Sequence, residues 1–184
     1  MRKLYLSLTT SGSIDNTIRE LERYKVELNN KAEIFVSRLI EIGIQTARSN
    51  GGRYKDYIRF TKNVMNDEYG ITGLLIATDG VTLIREWYTD ATHKHKRSYE
   101  VSPLLLAEFG SGWLAEVLDN VPGVGQGTMP NSYGHATDDD GWYWYDYQGI
   151  KHHSIGEAPT YPIHTAFASM EFEIERIARE VFRG

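Results

Sequence analysis

The sequence contains no cysteine among its 184 residues. Disulfides, thiolate zinc sites and cysteine nucleophiles are therefore excluded. A basic excess is missing as well, because 20 Lys and Arg residues stand against 25 Asp and Glu residues, giving a formal net charge of -5. Domains whose main task is to bind duplex DNA usually carry a positive excess that neutralises phosphates, so the charge disfavours this class of protein.

Long apolar runs are absent too. No stretch reaches the ~18 consecutive apolar residues that a membrane-spanning helix requires. The apolar part of the first eight residues, Met1 to Leu8, is too short for a signal peptide. The sequence therefore predicts a soluble cytosolic product without a membrane partner.

Two segments resemble ligand-binding loops only superficially. The glycines of 123–127 lack the third glycine of a dinucleotide fingerprint, because Thr128 stands at its sixth position. An EF-hand register over 138–141 places Ala136 and Tyr147 where two essential calcium ligands belong. We therefore predict a flexible loop and a solvated turn, without bound nucleotide or calcium.

The six histidines show no metal-binding spacing. His93 and His95 are predicted on one face of a strand, but the lysines and arginine of the run 93–97 repel a cation. His152 and His153 are expected on opposite faces of another strand. The sequence thus predicts no catalytic, cofactor-binding or metal-binding residue. The alternative is a small hydrolase or metal-dependent enzyme, for which the candidate residues are His135, His152, His153 and Asp138, Asp139 and Asp140.

What the sequence does contain is typical of one folded domain spanning residues 1–184. Its 41% of hydrophobic and 24% of charged residues are ordinary for a globular protein, and the length suffices for a sizeable core. The chain is also rich in large amphipathic rings, with 12 tyrosines and 4 tryptophans. Such rings suit both cores and protein–protein contacts.

Two apolar stripes with alternating spacings of four and three predict two helices. The first follows a possible N-cap at Ser13 and ends before Gly51 and Gly52, and Gly43 is a point where it bends or ends. Its stripe is Ile14, Ile18, Leu21, Lys25, Leu28, Ala32, Phe35, Leu39 and Ile42. The second helix begins at Pro162. Its stripe is Ile163, Phe167, Met170, Ile174, Ile177 and Val181. This period fits either packing on a sheet, which we favour, or a coiled coil.

The segments between and before the helices read as strands. Alternation and turn residues predict strands near 3–10, 55–64, 71–79, 81–90, 98–109, 142–147 and 150–155. The last two strands are expected to pair across a turn at Gln148-Gly149. The Asp79-Gly80 pair predicts a tight hairpin between two of them, because it supplies positive φ angles. A Gly-rich excursion over 113–141 interrupts the pattern, with a short helix expected at 113–119. The predicted fold class is α+β, with an antiparallel sheet covered on one face by the two terminal helices.

Charge is distributed unevenly along the chain. Residues 104–160 contain eight acidic residues and one basic residue. The basic run 93–97 is predicted to form an exposed hairpin or loop. Two alternatives are open for the contacts of this run, a phosphate backbone or the acidic segment of a neighbouring copy. Charge complementarity of the second kind would favour ordered self-association.

The order of these features resembles a known protein family. The long helix carries Arg38-Leu39 and Gly43-Ile44, and the β-rich middle ends in Glu108-Phe-Gly-Ser-Gly112. An aromatic strand at 142–146 follows, and then a helix that opens with Pro162 and Ala166. This order resembles the tail-completion or head–tail joining (neck) family of long-tailed bacteriophages, especially versions from prophages of Gram-positive bacteria.

The resemblance implies a structural virion protein without catalytic residues or cofactor. It implies a ring of copies, typically six-fold, that contacts portal or adaptor proteins on one side and the tail tube or terminator protein on the other. It also implies a location in the virion neck, and in the host cytoplasm during assembly. Genome DNA is expected to pass through the channel without specific binding, and an acidic lining from 104–160 would suit that passage.

The candidate subunit-contact residues are aromatic and charged. They are Glu108, Phe109, Trp113, Trp142, Trp144, Lys94, Lys96 and Arg97. Tyr54, Tyr57, Trp87 and Tyr88 are further candidates for a face that meets other copies, although packing in the core is the interpretation we favour for each of them. The alternative role within the virion is a tail terminator, a tail tube protein or another minor tail component.

Overall fold

A computed structural model describes residues 13–68, 70–112, 142–154 and 156–183 of the chain. The predicted strand at 3–10, the short helix at 113–119 and the segments 123–127 and 138–141 lie outside these residues. So do Trp113 and His135.

Both predicted helices are present. The first, α1, spans Ser13–Ser49, and the last, α3, spans Pro162–Phe182. A third, short helix, α2, spans Pro103–Phe109. Helix α1 continues through Gly43, where the prediction had allowed a bend or an end. A Cβ at this position would lie 2.7 Å from Sδ of Met170 in α3, so the glycine serves close helix packing.

The strands are antiparallel and short, apart from one long hairpin. They are β1 (Ile58–Asp67), β2 (Gly70–Asp79), β3 (Leu83–Tyr88), β4 (Lys96–Val101), β5 (Ser111–Gly112), β6 (Trp142–Tyr145), β7 (Lys151–Ser154) and β8 (Gly156–Glu157). Within the described residues they form three sheets, with strand orders β1-β2, β4-β3-β6-β7 and β5-β8. The predicted α+β class with terminal helices is confirmed.

The predicted hairpin across Asp79-Gly80 is wrong. Strand β2 pairs with β1 instead, and β3 pairs with β4 and β6. The physical reason lies in α2, because Oδ1 of Asp79 accepts a hydrogen bond from the backbone N–H of Leu104 at 2.8 Å. The N–H of Gly80 donates to the carbonyl of Tyr57 at 2.7 Å. These two bonds to residues distant in sequence hold Asp79 and Gly80 in a connection that leads from one sheet to the next, and no tight turn forms.

The predicted strand over 98–109 is correct only in its first part. Strand β4 ends at Val101, and α2 follows at once. Ser102 acts as N-cap, because its Oγ accepts from the N–H of Leu105 at 3.1 Å, and Pro103 stands in the first turn. A proline at this position suits a helix start, since its missing N–H would be unpaired there anyway.

The core lies where the C-terminal half of α1 meets the β1–β2 hairpin, α2 and the start of α3. Its buried apolar residues include Ile40, Ile44, Ala47, Phe60, Val101, Leu106, Ala107 and Ala166. Strands β1 and β2 turn alternate side chains towards α1. A Cβ on Gly73 of β2 would lie 2.3 Å from Cγ1 of Val36, so the hairpin backbone approaches α1 closely. Helix α3 packs along α1, with Oγ1 of Thr46 donating to Oγ of Ser169 at 3.0 Å.

Candidate subunit-contact site

Glu108, a predicted contact residue, caps helix α3 from within the same chain. Its Oε2 accepts from the N–H of Ile163 at 2.7 Å, and its Oε1 accepts from the N–H of His164 at 3.1 Å. The first N–H groups of a helix have no partner inside the helix, and a carboxylate is favoured there by the helix dipole. Glu108 therefore joins the end of α2 to the start of α3.

Backbone contacts reinforce the same connection. The carbonyl of Ala107 accepts hydrogen bonds from the N–H of Thr160 at 2.7 Å and from the N–H of Tyr161 at 3.1 Å. Gly110 then leaves α2 with φ 72° and ψ -161°. We refer to this arrangement of residues 107–110 against 157–164 as the α2–α3 junction. Glu108 was predicted at a subunit contact, and no local sequence signal pointed to the cap, because 55 positions separate it from Ile163.

We expect Glu108→Ala to lower the free energy of unfolding by about 1–2 kcal/mol, because two N–H groups of α3 lose their acceptor. Glu108→Gln retains one acceptor oxygen and should lose less. Chemical unfolding of the three proteins measures the difference. Equal stability of the wild type and Glu108→Ala would show that water replaces the cap without cost.

The α2–α3 junction adjoins a charged cluster around Glu157. Oε1 of Glu157 lies 2.9 Å from Nη2 of Arg85, and Arg53 also pairs with this carboxylate. The hydroxyl of Tyr54 donates to Oε2 at 2.5 Å. Tyr54 is only 6% exposed, so its interpretation as a core residue is confirmed and it does not lie on a face that meets other copies. Glu157 thus connects β8 to β3 and to the segment after α1.

The basic run 93–97 spans the exposed turn between β3 and β4 and the start of β4, because Lys96 and Arg97 already belong to that strand. The predicted position of His93 and His95 on one face of a strand is wrong, since both lie in the turn, where His93 has a positive φ of 58°. Lys94 is exposed. Lys96 is already engaged, because its Nζ lies 2.7 Å from Oε2 of Glu86 on the neighbouring strand. This hydrogen bond raises the pKa of Lys96. The backbone of Arg97 lies opposite Trp87 in the ladder. Within the run, Lys94 is therefore the candidate that best suits a contact with an acidic partner.

The turn before β7 is held by Asp146. Its Oδ1 accepts from the N–H groups of Gln148 at 2.8 Å and Ile150 at 2.9 Å, and Nε2 of His152 lies 2.8 Å from its Oδ2. The carbonyl oxygen of Asp146 lies 3.0 Å from Nε2 of His93, which reaches over from the β3–β4 turn. His93, one of the histidines considered for metal binding, therefore connects the β3–β4 turn to the β6–β7 turn, whereas His152 of β7 bonds within the β6–β7 hairpin.

The hydrogen bond with His152, followed by those from the backbone, lowers the pKa of Asp146 from its ordinary value of 3.8. A carboxyl group with a lowered folded-state pKa contributes stability above its unfolded pKa, and this contribution is lost as the pH falls through the folded pKa. We therefore expect Asp146→Asn to reduce stability at neutral pH. The difference from the wild type should shrink as the pH falls below 3.8. Chemical unfolding across that range measures it, and a difference that stays constant would contradict the assignment.

The aromatic candidates divide between described and undescribed parts of the chain. Phe109 ends α2 and is half-buried. Trp142 and Trp144 lie in β6, whose partner β7 confirms the predicted pairing of 142–147 with 150–155.

Of the eight acidic residues in 104–160, the structure describes Glu108, Asp146 and Glu157, and each makes hydrogen bonds inside the chain. An acidic lining would therefore depend on the other five.

The outer faces of the fold carry apolar side chains that the sequence patterns did not single out. Met65, Leu74 and Ile76 are exposed on the side of the β1–β2 hairpin that faces away from α1. On α3, Phe172 is 84% exposed. Its position off the four-and-three stripe was the available signal, because a phenylalanine on the polar face of a helix needs a separate explanation. Exposed apolar patches of this kind are typical of protein–protein contacts.

In the described ranges, no three His, Asp or Glu side chains come together as a metal site would require. The helices described here include none that is both long and apolar enough to cross a membrane. Comparison with protein families, with curated proteins and with solved structures found no match to the chain.

Proposed function

We propose that this chain is a structural protein of the neck of a long-tailed bacteriophage, where copies form a ring that joins the DNA-filled head to the tail. The proposal rests on the resemblance between the order of motifs in the sequence and the head–tail joining family. Its main support in the fold is the α2–α3 junction.

The junction matters because it joins the two pieces that carry the resemblance. Glu108 belongs to the Glu-Phe-Gly-Ser-Gly piece, and it caps the helix that opens with Pro162 and contains the fully buried Ala166. Both sequence pieces therefore contribute to the same contact, the one between the end of α2 and the start of α3.

The exposed apolar side chains are a second, independent support. The outer face of β1–β2 carries Met65, Leu74 and Ile76, and its opposite face already covers α1. A ring is built from heterologous contacts that close on themselves, and such contacts need two different surfaces on each copy. The hairpin face and the exposed turn at Lys94 lie on different sheets and provide two surfaces of different character.

Electron microscopy of lysates from a phage that lacks this gene tests the proposal. We expect DNA-filled heads beside separate, finished tails, and infectious particles on supplying the wild-type gene. Tails of irregular length would identify a tail terminator instead. Intact infectious particles from the deletion phage would overturn the assignment to the virion.

A further inference from the structure

Helix α3 covers only part of α1. The two helices run antiparallel, from the contact between Thr46 and Ser169 to the contact between the rings of Phe35 and Phe182, whose centroids are 5.8 Å apart. Because α3 ends there, residues 14–30 of α1 extend roughly 25 Å beyond it at 1.5 Å per residue. These residues are exposed with the single exception of Thr17.

The extension carries the same apolar stripe that the rest of α1 uses for packing. Ile14, Ile18, Leu21 and Leu28 continue the four-and-three spacing and are between 42% and 56% exposed. Further along the same stripe, Phe35 packs against α3. A spacing of 3.5 residues is the pattern with which one helix covers another. The exposed stripe therefore has the form of a helix-binding surface.

We propose that this stripe, from Ile14 to Ala32, binds the same stripe of a second copy of the chain in an antiparallel helix pair. In the seam of this pair, stripe residues that face each other have residue numbers that add up to 46. Ile18 then packs against Leu28 of the second copy, and Ile14 packs against Ala32 of the second copy. Leu21 lies against the aliphatic part of Lys25 of the second copy, and each of these contacts occurs twice.

Lys25 determines the direction of the pair. In a parallel, in-register pair, the two Lys25 ammonium groups would face each other in the seam, and like charges there are destabilising. In the antiparallel pair, the centre contains both Glu22 carboxylates and both Lys25 ammonium groups, so two negative and two positive charges lie together. The two Tyr24 rings face each other on the opposite flank of the seam, where aromatic pairs are favourable.

The contact is small, and its strength follows from its size. The apolar and aromatic side chains of this contact would bury roughly 500 Å² per copy, below the ~800 Å² per partner of a standard interface. They are Ile14, Ile18, Leu21, Tyr24 and Leu28. The helix is already formed, because its C-terminal half is fixed in the core, and binding therefore bears no nucleation cost. We expect a weak dimer whose population rises with protein concentration.

This pairing does not depend on the proposed function. A two-fold contact closes after two copies, whereas a ring requires heterologous contacts. The pair would therefore be the form in which the free protein covers its stripe.

Engineered cysteines test the direction and register, because the chain has no cysteine of its own. With a short thiol crosslinker, Tyr24→Cys should form a dimer with itself, and a mixture of Ile18→Cys with Leu28→Cys should form a mixed dimer. Arg23→Cys points away from the seam and serves as the control. Strong self-crosslinking of Leu21→Cys without any of Tyr24→Cys would overturn the antiparallel register.

Sedimentation velocity tests the association itself. The double variant Ile18→Glu with Leu28→Glu should bind itself at least tenfold more weakly than the wild type, with an unchanged circular dichroism spectrum. Val26→Glu is the matched control, since this valine is also exposed but lies off the stripe. The proposal would be overturned if the wild type stayed monomeric at high concentration. It would also be overturned if the double variant dimerised as strongly as the wild type. In either case, a partner other than a second copy of the chain would cover the stripe.

Discussion

Gly110→Ala is expected to lower the free energy of unfolding by about 4 kcal/mol, the range in which strain at a special backbone conformation is diagnostic. Gly110 has φ 72° and ψ -161°, a region that only glycine adopts readily. A Cβ there would lie 2.3 Å from the carbonyl oxygen of Glu157 and 2.9 Å from Cδ of Pro159. Relief would require the backbone around Gly110 to move away from 157–159, because the Glu157 carbonyl is part of the backbone and the Pro159 ring is closed onto it.

A change of this size is measurable in either of two ways. For a domain of this length, about 4 kcal/mol corresponds to a fall in Tm of roughly 8–16 °C. Chemical unfolding should show a lower midpoint at an unchanged slope, because the same surface is exposed on unfolding.

Gly149→Ala is the control for the backbone angle alone. Gly149 has a similar φ of 76°, but the nearest atom to an added Cβ is the carbonyl oxygen of Ala91 at 3.4 Å. We expect a loss of about 1 kcal/mol, from backbone strain without overlap. Equal losses in the two variants would show that the close approach at Gly110 is absorbed by a small shift of the chain.

The sequence was sufficient for elements whose signals are local. Both long helices begin and end close to the predicted positions, because their stripes, Pro162 and the glycines after Ser49 act within a few residues. The pairing of β6 with β7 was predictable for the same reason, since only a short turn separates them.

The errors arose where a distant partner decides the local structure. Asp79-Gly80 has the composition of a hairpin turn, but the Asp79 side chain binds the N-terminus of α2, 25 residues away in sequence. Strand propensity continued past Val101, but the Ser102 cap and Pro103 start a helix. Local propensity is a weak guide at such positions, because tertiary contacts override it.

The candidate site depends even more on contacts between residues that are distant in sequence. Glu108 is separated from the N–H of Ile163 by 55 positions, and Glu157 from Tyr54 by 103. No spacing rule connects residues so far apart, and only the fold brings them together. The exposure of Ile18 and Leu21 in α1 was also hidden, since one continuous stripe covers both the buried and the exposed half of the helix.

Ile177→Ala is expected to cost about 2–5 kcal/mol, the range for truncating a buried isoleucine to alanine. Ile177 is fully buried on α3, the helix that packs along α1. Truncation removes three carbon atoms from the packed interior, and the surrounding helices cannot close the cavity completely. Thermal and chemical unfolding both measure the loss.

Ile174→Ala supplies the matched comparison, because it makes the same substitution on the same helix one turn earlier. Both isoleucines belong to the predicted stripe, but Ile174 is 46% exposed whereas Ile177 is 0% exposed. We expect a loss within about 0.5–1 kcal/mol for Ile174→Ala, since much of its side chain is already in water. The ratio of the two losses in stability therefore tests which face of α3 is turned towards α1. Similar losses would mean that α3 presents its stripe to α1 symmetrically, as an ideal 3.5-residue seam would, and the packing described here would be wrong.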